Sequence, residues 1–212
     1  MDYYYLTFNP DQMGVFPQGK SLTGPYNFNA PNSVWNVFGN NLLSNLWVPE
    51  GFEIQYRAKF SDRLSIVEIG FPFLIISPKA ADIFLSYDIL DPLVFSLKIT
   101  KKGRVADYKI FIIQTQQPEY IDFQSSDFTL NKHLFNIVKP VEIESIGDLN
   151  EKQKNLEYPY FIRLFKLVLK KDVIRHDMFL LPGFGRPEYI VSQRLKEHIE
   201  REKLTGFGFR PI

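Results

Sequence analysis

Val94-Phe95-Ser96-Leu97-Lys98-Ile99-Thr100-Lys101-Lys102-Gly103-Arg104-Val105-Ala106-Asp107-Tyr108-Lys109-Ile110-Phe111-Ile112-Ile113-Gln114 decides the fold class. Residues 94–100 alternate apolar and polar side chains, the period of a strand covered on one face. Lys102-Gly103 supplies a tight turn, and residues 94–114 read as a β-hairpin. Its second arm, Tyr108 to Gln114, is β-branched and aromatic, with apolar residues at both parities. Strands covered on both faces have that composition. Tyr160-Phe161-Ile162-Arg163-Leu164-Phe165-Lys166-Leu167-Val168-Leu169 reads the same way, as a second central strand. Phe111, Ile113, Leu164, Phe165 and Leu167 are therefore predicted to be core.

Helices enter through serine. Leu74-Ile75-Ile76-Ser77-Pro78-Lys79-Ala80-Ala81 echoes Tyr189-Ile190-Val191-Ser192-Gln193-Arg194-Leu195-Lys196. Each is a short apolar strand, then Ser, then a helical run. A serine N-cap accepts from an orphan amide of the first turn, and Pro78 at the first helical position loses no bond. The spacing predicts helices over 78–87 and 192–203, within strand–helix units near 71–87 and 189–204. Residues 143–158 are polar and read as a loop or a short exposed helix. The predicted class is α+β, with a mixed or antiparallel sheet and a few helices.

The chain has 212 residues, no cysteine, and a formal charge of +1. At that length about 70% of the unfolded surface can be buried, so a core needs neither disulfide nor metal. One domain spanning 1–212 is expected: an irregular, Asn- and aromatic-rich part over 1–60, and a more regular part over 70–212. Residues 3–49 carry only Asp11 and Lys20 as charges yet hold eight Asn and both tryptophans. A short strand is predicted around Tyr4 to Phe8, followed by irregular chain to about residue 47. No basic-plus-apolar leader begins the sequence, and no stretch is long and apolar enough to span a bilayer; a cytoplasmic protein without membrane contact is expected. Near-neutral charge argues against nucleic acid as partner.

Residues of catalytic type form no motif. His133, His176 and His198 are far apart in sequence and lack the short spacing of metal ligands. No cofactor or metal is implied. Gly183-Phe184-Gly185-Arg186-Pro187 has a G-x-G spacing, but no third glycine or Lys-Ser/Thr pair follows, and it reads as a turn. Glu50/Glu53 and Glu142/Glu144 suit solvent-facing positions. The basic excess at Lys166, Lys170, Lys171, Arg175 and Arg186 could attract an acidic surface, but Lys170-Lys171 reads as a solvated strand tip.

Near the C-terminus stand Val191-Ser192-Gln193-Arg194-Leu195-Lys196-Glu197-His198-Ile199 and Gly206-Phe207-Gly208-Phe209-Arg210-Pro211. This pair resembles the closing motif, V-S-x-x-L-K-x-x-I then G-h-x-F-x-P (h apolar), of the eleventh-numbered bacterial immunity family of polymorphic toxin systems. Phe71-Pro72-Phe73-Leu74-Ile75-Ile76-Ser77 and Tyr108-Lys109-Ile110-Phe111 are similar to two further family elements, so the resemblance covers about 70–212 and leaves 9–60 unmatched. It implies an α+β protein that binds a cognate toxin domain and blocks it, with no catalysis of its own and no catalytic residues to carry over.

A non-enzymatic binding protein is the first expectation. Aromatic and arginine side chains anchor protein interfaces, which nominates Trp35, Trp47 and Arg186 as partner-binding residues. The alternative is a small-ligand binder or an enzyme, with its pocket near Trp35, Asn36 and Trp47.

Overall fold

A computed structural model describes all residues except 1, 25, 26, 28, 31, 34–45, 67–72, 134, 135 and 183–187. The strands are β1 (Tyr3–Phe8), β2 (Gly19–Thr23), β3 (Gly51–Ile54), β4 (Arg63–Leu64), β5 (Leu74–Ile76), β6 (Pro92–Lys101), β7 (Arg104–Ile113), β8 (Asp127–Lys132), β9 (Asn136–Val141), β10 (Tyr160–Lys166), β11 (Met178–Leu181), β12 (Glu188–Ser192) and β13 (Phe207–Pro211). The helices are α1 (Pro78–Leu85), α2 (Ile146–Lys154) and α3 (Gln193–Arg201). The fold is α+β. Its strands form a six-stranded sheet in the order β2-β3-β6-β7-β5-β4, a four-stranded sheet β11-β12-β1-β13, and a three-stranded sheet β10-β8-β9. The parallel β3–β6 pair makes the first sheet mixed.

The predicted hairpin is β6–β7, antiparallel from Pro92↔Ile113 to Lys101↔Arg104. Lys102 and Gly103 both have positive φ (49° and 75°), the backbone a two-residue hairpin turn with right-handed twist requires. Strand β7 is central, and both of its faces are covered. Phe111 and Ile113 pack against α1 and the four-stranded sheet, while Tyr108, Ile110 and Ile112 pack against Phe52, Ile54 and Leu64.

The two strand–helix units match far beyond the eight residues of sequence similarity. Arg63↔Ile76 and Leu64↔Ile75 pair β4 with β5; Met178↔Val191 and Phe179↔Ile190 pair β11 with β12. Each position is shifted by 115 (63 to 178, 76 to 191), and the same shift carries Ser77 to Ser192 and β6 onto β13. Within the first unit β6 pairs with β7, as in Val94↔Phe111 and Pro92↔Ile113. Within the second, β13 pairs with the N-terminal strand β1, as in Phe209↔Leu6 and Phe207↔Phe8. Strand β1 thus takes the place of β7, and the orders β4-β5-β7-β6 and β11-β12-β1-β13 are the same. Leu74, Ile76, Ala80 and Phe84 meet their counterparts Tyr189, Val191, Leu195 and Ile199 in one shared core.

Both serine caps form as the sequence predicts. Ser77 Oγ accepts from Ala80 N and Ser192 Oγ from Leu195 N, each at 3.2 Å. The helices end at Leu85 and Arg201, two residues inside their predicted limits. Residues 143–158 hold α2, capped by Ser145 and burying only Leu149. The N-terminal part is more regular than expected. Strands β2 and β3 lie within it because Leu22, Phe52 and Ile54 find cover at the margin of the six-stranded sheet.

The second central strand is a correction. Segment 160–166 is a strand, but β10 lies at the edge of the three-stranded sheet. Phe165 is 66% exposed and Leu164 half-buried, whereas Leu167, at 7%, is core as predicted. The physical reason is a β-bulge between Leu164 and Lys166. Ile162 and Leu164 point inward before it and Leu167 and Leu169 after it, so the inward set changes parity. Apolar residues at both parities here record a bulge, with one face still open to solvent.

Candidate interaction surface

Of the residues nominated from sequence, Trp47 is described. It is half-buried, and its backbone N donates to Asn32 O at 2.8 Å, closing a bridge between Ser33 and Trp47. Trp35, Asn36 and Arg186, with the rest of Gly183–Pro187, lie outside the described residues. The histidines sit apart. His198 Nδ1 and Tyr87 OH share a hydrogen bond of 2.8 Å, as do His176 Nδ1 and Tyr120 OH, and His133 lies edge-on to Tyr158. Among the described residues no three His, Asp or Glu side chains are grouped to hold a metal ion. Glu53 pairs with Lys20 at 2.9 Å on the surface.

Two buried ionic centres are structural in their contacts. Asp177 is buried, which by itself raises a carboxyl pKa. Hydrogen bonds from Arg194 and Ser192 and the Arg194 charge outweigh that and hold it below the ordinary range. Asp62 plays the matching part in the first unit, accepting from Ser77 Oγ at 2.8 Å and from Thr205 N at 2.8 Å. Arg63 is buried with its guanidinium 4.0 Å above the Phe8 ring, and Nη1 donates to Thr7 O. Burial pushes its pKa down to about 9, and among the described residues its Nε has no hydrogen-bond partner.

A cleft of about 460 Å³ opens between α3, β13 and the turn at Asn9–Gln12. Leu204, Phe207 and Phe209 contribute apolar walls, and Lys196, Glu200 and Lys203 charged ones. Lys196 is already engaged, with Glu200 at 2.8 Å and the Tyr4 ring at 5.2 Å.

Exposed apolar side chains gather elsewhere, on the three-stranded sheet. One face packs on α2 through Phe128, Leu149 and Ile162. Around the other face and its edges stand Phe165, Ile137 (54% exposed), Val138 (50%) and, just before β10, Tyr158 (93%). Arg163 and Lys166 flank Phe165. Strands β9 and β10 are the two outer strands of this sheet. Sequence reasoning missed Phe165 because it assigned the residue to the core. The signal was the cationic company: Arg163 and Lys166 on either side suit a solvent-facing position.

No family model and no curated protein matches the chain. Among the described residues no helix is long and apolar enough to cross a membrane.

Proposed function

We propose that this chain is a non-enzymatic binding protein, an immunity protein that binds and neutralises a cognate bacterial toxin domain. The observation that carries the reading is the set of large apolar side chains left in water on the three-stranded sheet, Tyr158 and Phe165 foremost. An exposed aromatic beside cations, as Phe165 is beside Arg163 and Lys166 in the sequence, is a usual component of a protein-binding surface. The C-terminal motif supports the same reading by resemblance. Its serine, leucine and glycine have structural parts, since Ser192 caps α3, Leu195 is core, and Gly206 (φ 84°) lies against the Arg63 backbone where no side chain fits.

Co-expression with the toxin domain encoded beside this gene is the test. Growth rescue by the wild type and recovery of a stable complex are expected. Absence of both with every neighbouring gene product would overturn the proposal. The cleft beside Lys203 favours a second reading, a small-ligand binder, and binding of a metabolite there without any protein partner would establish it.

A further inference from the structure

We infer that residues 163–175 form the docking strip of this protein, and that the surface they take is an acidic face of the folded toxin domain. The inference rests on the binding reading above. This stretch carries Arg163, Lys166, Lys170, Lys171 and Arg175 against a single carboxylate, Asp172. That is net +4 in 13 residues, in a chain whose total is +1, so everything outside the strip is net −3. Lys171 pairs with Asp2 at 3.0 Å; Arg163, Lys166, Lys170 and Arg175 make no ion pair among the described residues. All five cations are exposed. Phe165 and Val173 stand exposed among them, so the strip has apolar anchors within a cationic rim. Hot spots of protein interfaces have that composition.

The strip is also held in place. Leu167, Leu169 and Ile174 point inward and are buried. Asp122 N donates to Val168 O at 2.9 Å, Lys170 N to Tyr120 O at 3.0 Å, and Val168 N to Ser126 Oγ at 2.9 Å. A fixed backbone leaves little conformational entropy to lose on docking. The negative remainder of the chain disfavours a long polyanion, which would extend past the strip, whereas the acidic face of a compact domain can be confined to it. The bulge at Phe165 and the flanking cations also keep β10 from accepting another strand, so the contact is made by side chains.

Binding of the purified full-length protein to the neighbouring toxin domain, followed by biolayer interferometry, tests this. Phe165→Ala should raise Kd about tenfold, chiefly through faster dissociation. The double variant Arg163→Glu/Lys166→Glu should slow association about tenfold and abolish its salt dependence between about 50 and 500 mM. Lys102→Glu, at the exposed β6–β7 turn of the six-stranded sheet, should change neither. Circular dichroism and unfolding midpoints show that the variants remain folded. A complex whose affinity is the same for wild type and both strip variants overturns the strip and leaves the immunity reading standing. No complex at all overturns that reading and the strip with it. Strip-dependent binding of a single-stranded or duplex DNA oligonucleotide, with the toxin complex unaffected by the variants, assigns the strip to phosphate and overturns the inference as well.

Discussion

The Ser192 hydroxyl donates to Asp177 Oδ1 at 2.7 Å while its oxygen accepts from the Leu195 amide. One side chain therefore caps helix α3 and fastens it to strand β11. Asp177 Oδ2 in turn accepts from Asp88 N at 3.3 Å, on the chain leaving α1. Asp62 mirrors this by accepting from Thr205, on the chain leaving α3. Each unit's carboxylate holds its own cap and the exit of the other unit's helix.

Replacing Ser192 by Ala removes the cap and one donor to a buried carboxylate. A loss of about 1–2 kcal/mol is expected for Ser192→Ala, and likewise for Ser77→Ala. Urea unfolding midpoints at constant m-value measure it. A change below about 0.3 kcal/mol in both would show that the caps contribute little.

Acid should act through Asp177. Its folded pKa lies below the unfolded value, so its contribution is complete above the ordinary carboxylate range and is lost as pH falls through that range to the lower folded value. Melting temperature recorded from neutral pH down to about pH 3 should fall, and Asp177→Asn should flatten part of that fall. Parallel curves for the two proteins would remove Asp177 from the account.

Phenylalanines on strands of different sheets should differ in weight. Phe111→Ala, in the fully covered β7, is expected to cost about 3–5 kcal/mol. Phe165→Ala should cost less than about 1 kcal/mol, because most of that ring is already in water. Equal costs would mean that Phe165 is covered in solution.

Arg63 occupies in the first unit the position that Met178 holds in the second. It is a buried cation without a carboxylate partner among the described residues, and Met is apolar and adaptable. Arg63→Met should stay within about 1 kcal/mol of wild type or exceed it, whereas Arg63→Ala should lose stability through the cavity. A large loss with Met would show that the bond to Thr7 O and the stacking on Phe8 outweigh the desolvation.

The elements most legible in sequence were those specified locally. Lys102-Gly103 carries its own turn geometry, and Ser77 and Ser192 announce their helices by composition alone. The pairing of β1 with β12 and β13 was not legible, because nothing near Tyr3–Phe8 states which distant strands will receive it. The misplacement of Phe165 had a local cause, one bulge residue that reverses the parity on which burial is read. Of the interaction surface, the cations Lys166, Lys170, Lys171 and Arg175 were visible, but their exposed apolar neighbours were not. Whether a phenylalanine stays in water depends on what the rest of the chain brings over it.

Tyr3 is paired with Ser192, 189 positions further along the chain (3 to 192), and Phe8 with Phe207. A ribosome therefore releases β1 about 180 residues ahead of the first of its two partners. The first unit can close early, since β4 to β7 lie within 63–113. Throughout that interval Tyr3-Tyr4-Tyr5-Leu6-Thr7-Phe8 is an aromatic strand with no sheet to join, the kind of segment that nascent-chain chaperones shield and that aggregates when they do not. The second unit becomes a sheet only once Phe207–Pro211 has emerged, long after β1, so slow or interrupted synthesis should affect this half of the molecule more than the other.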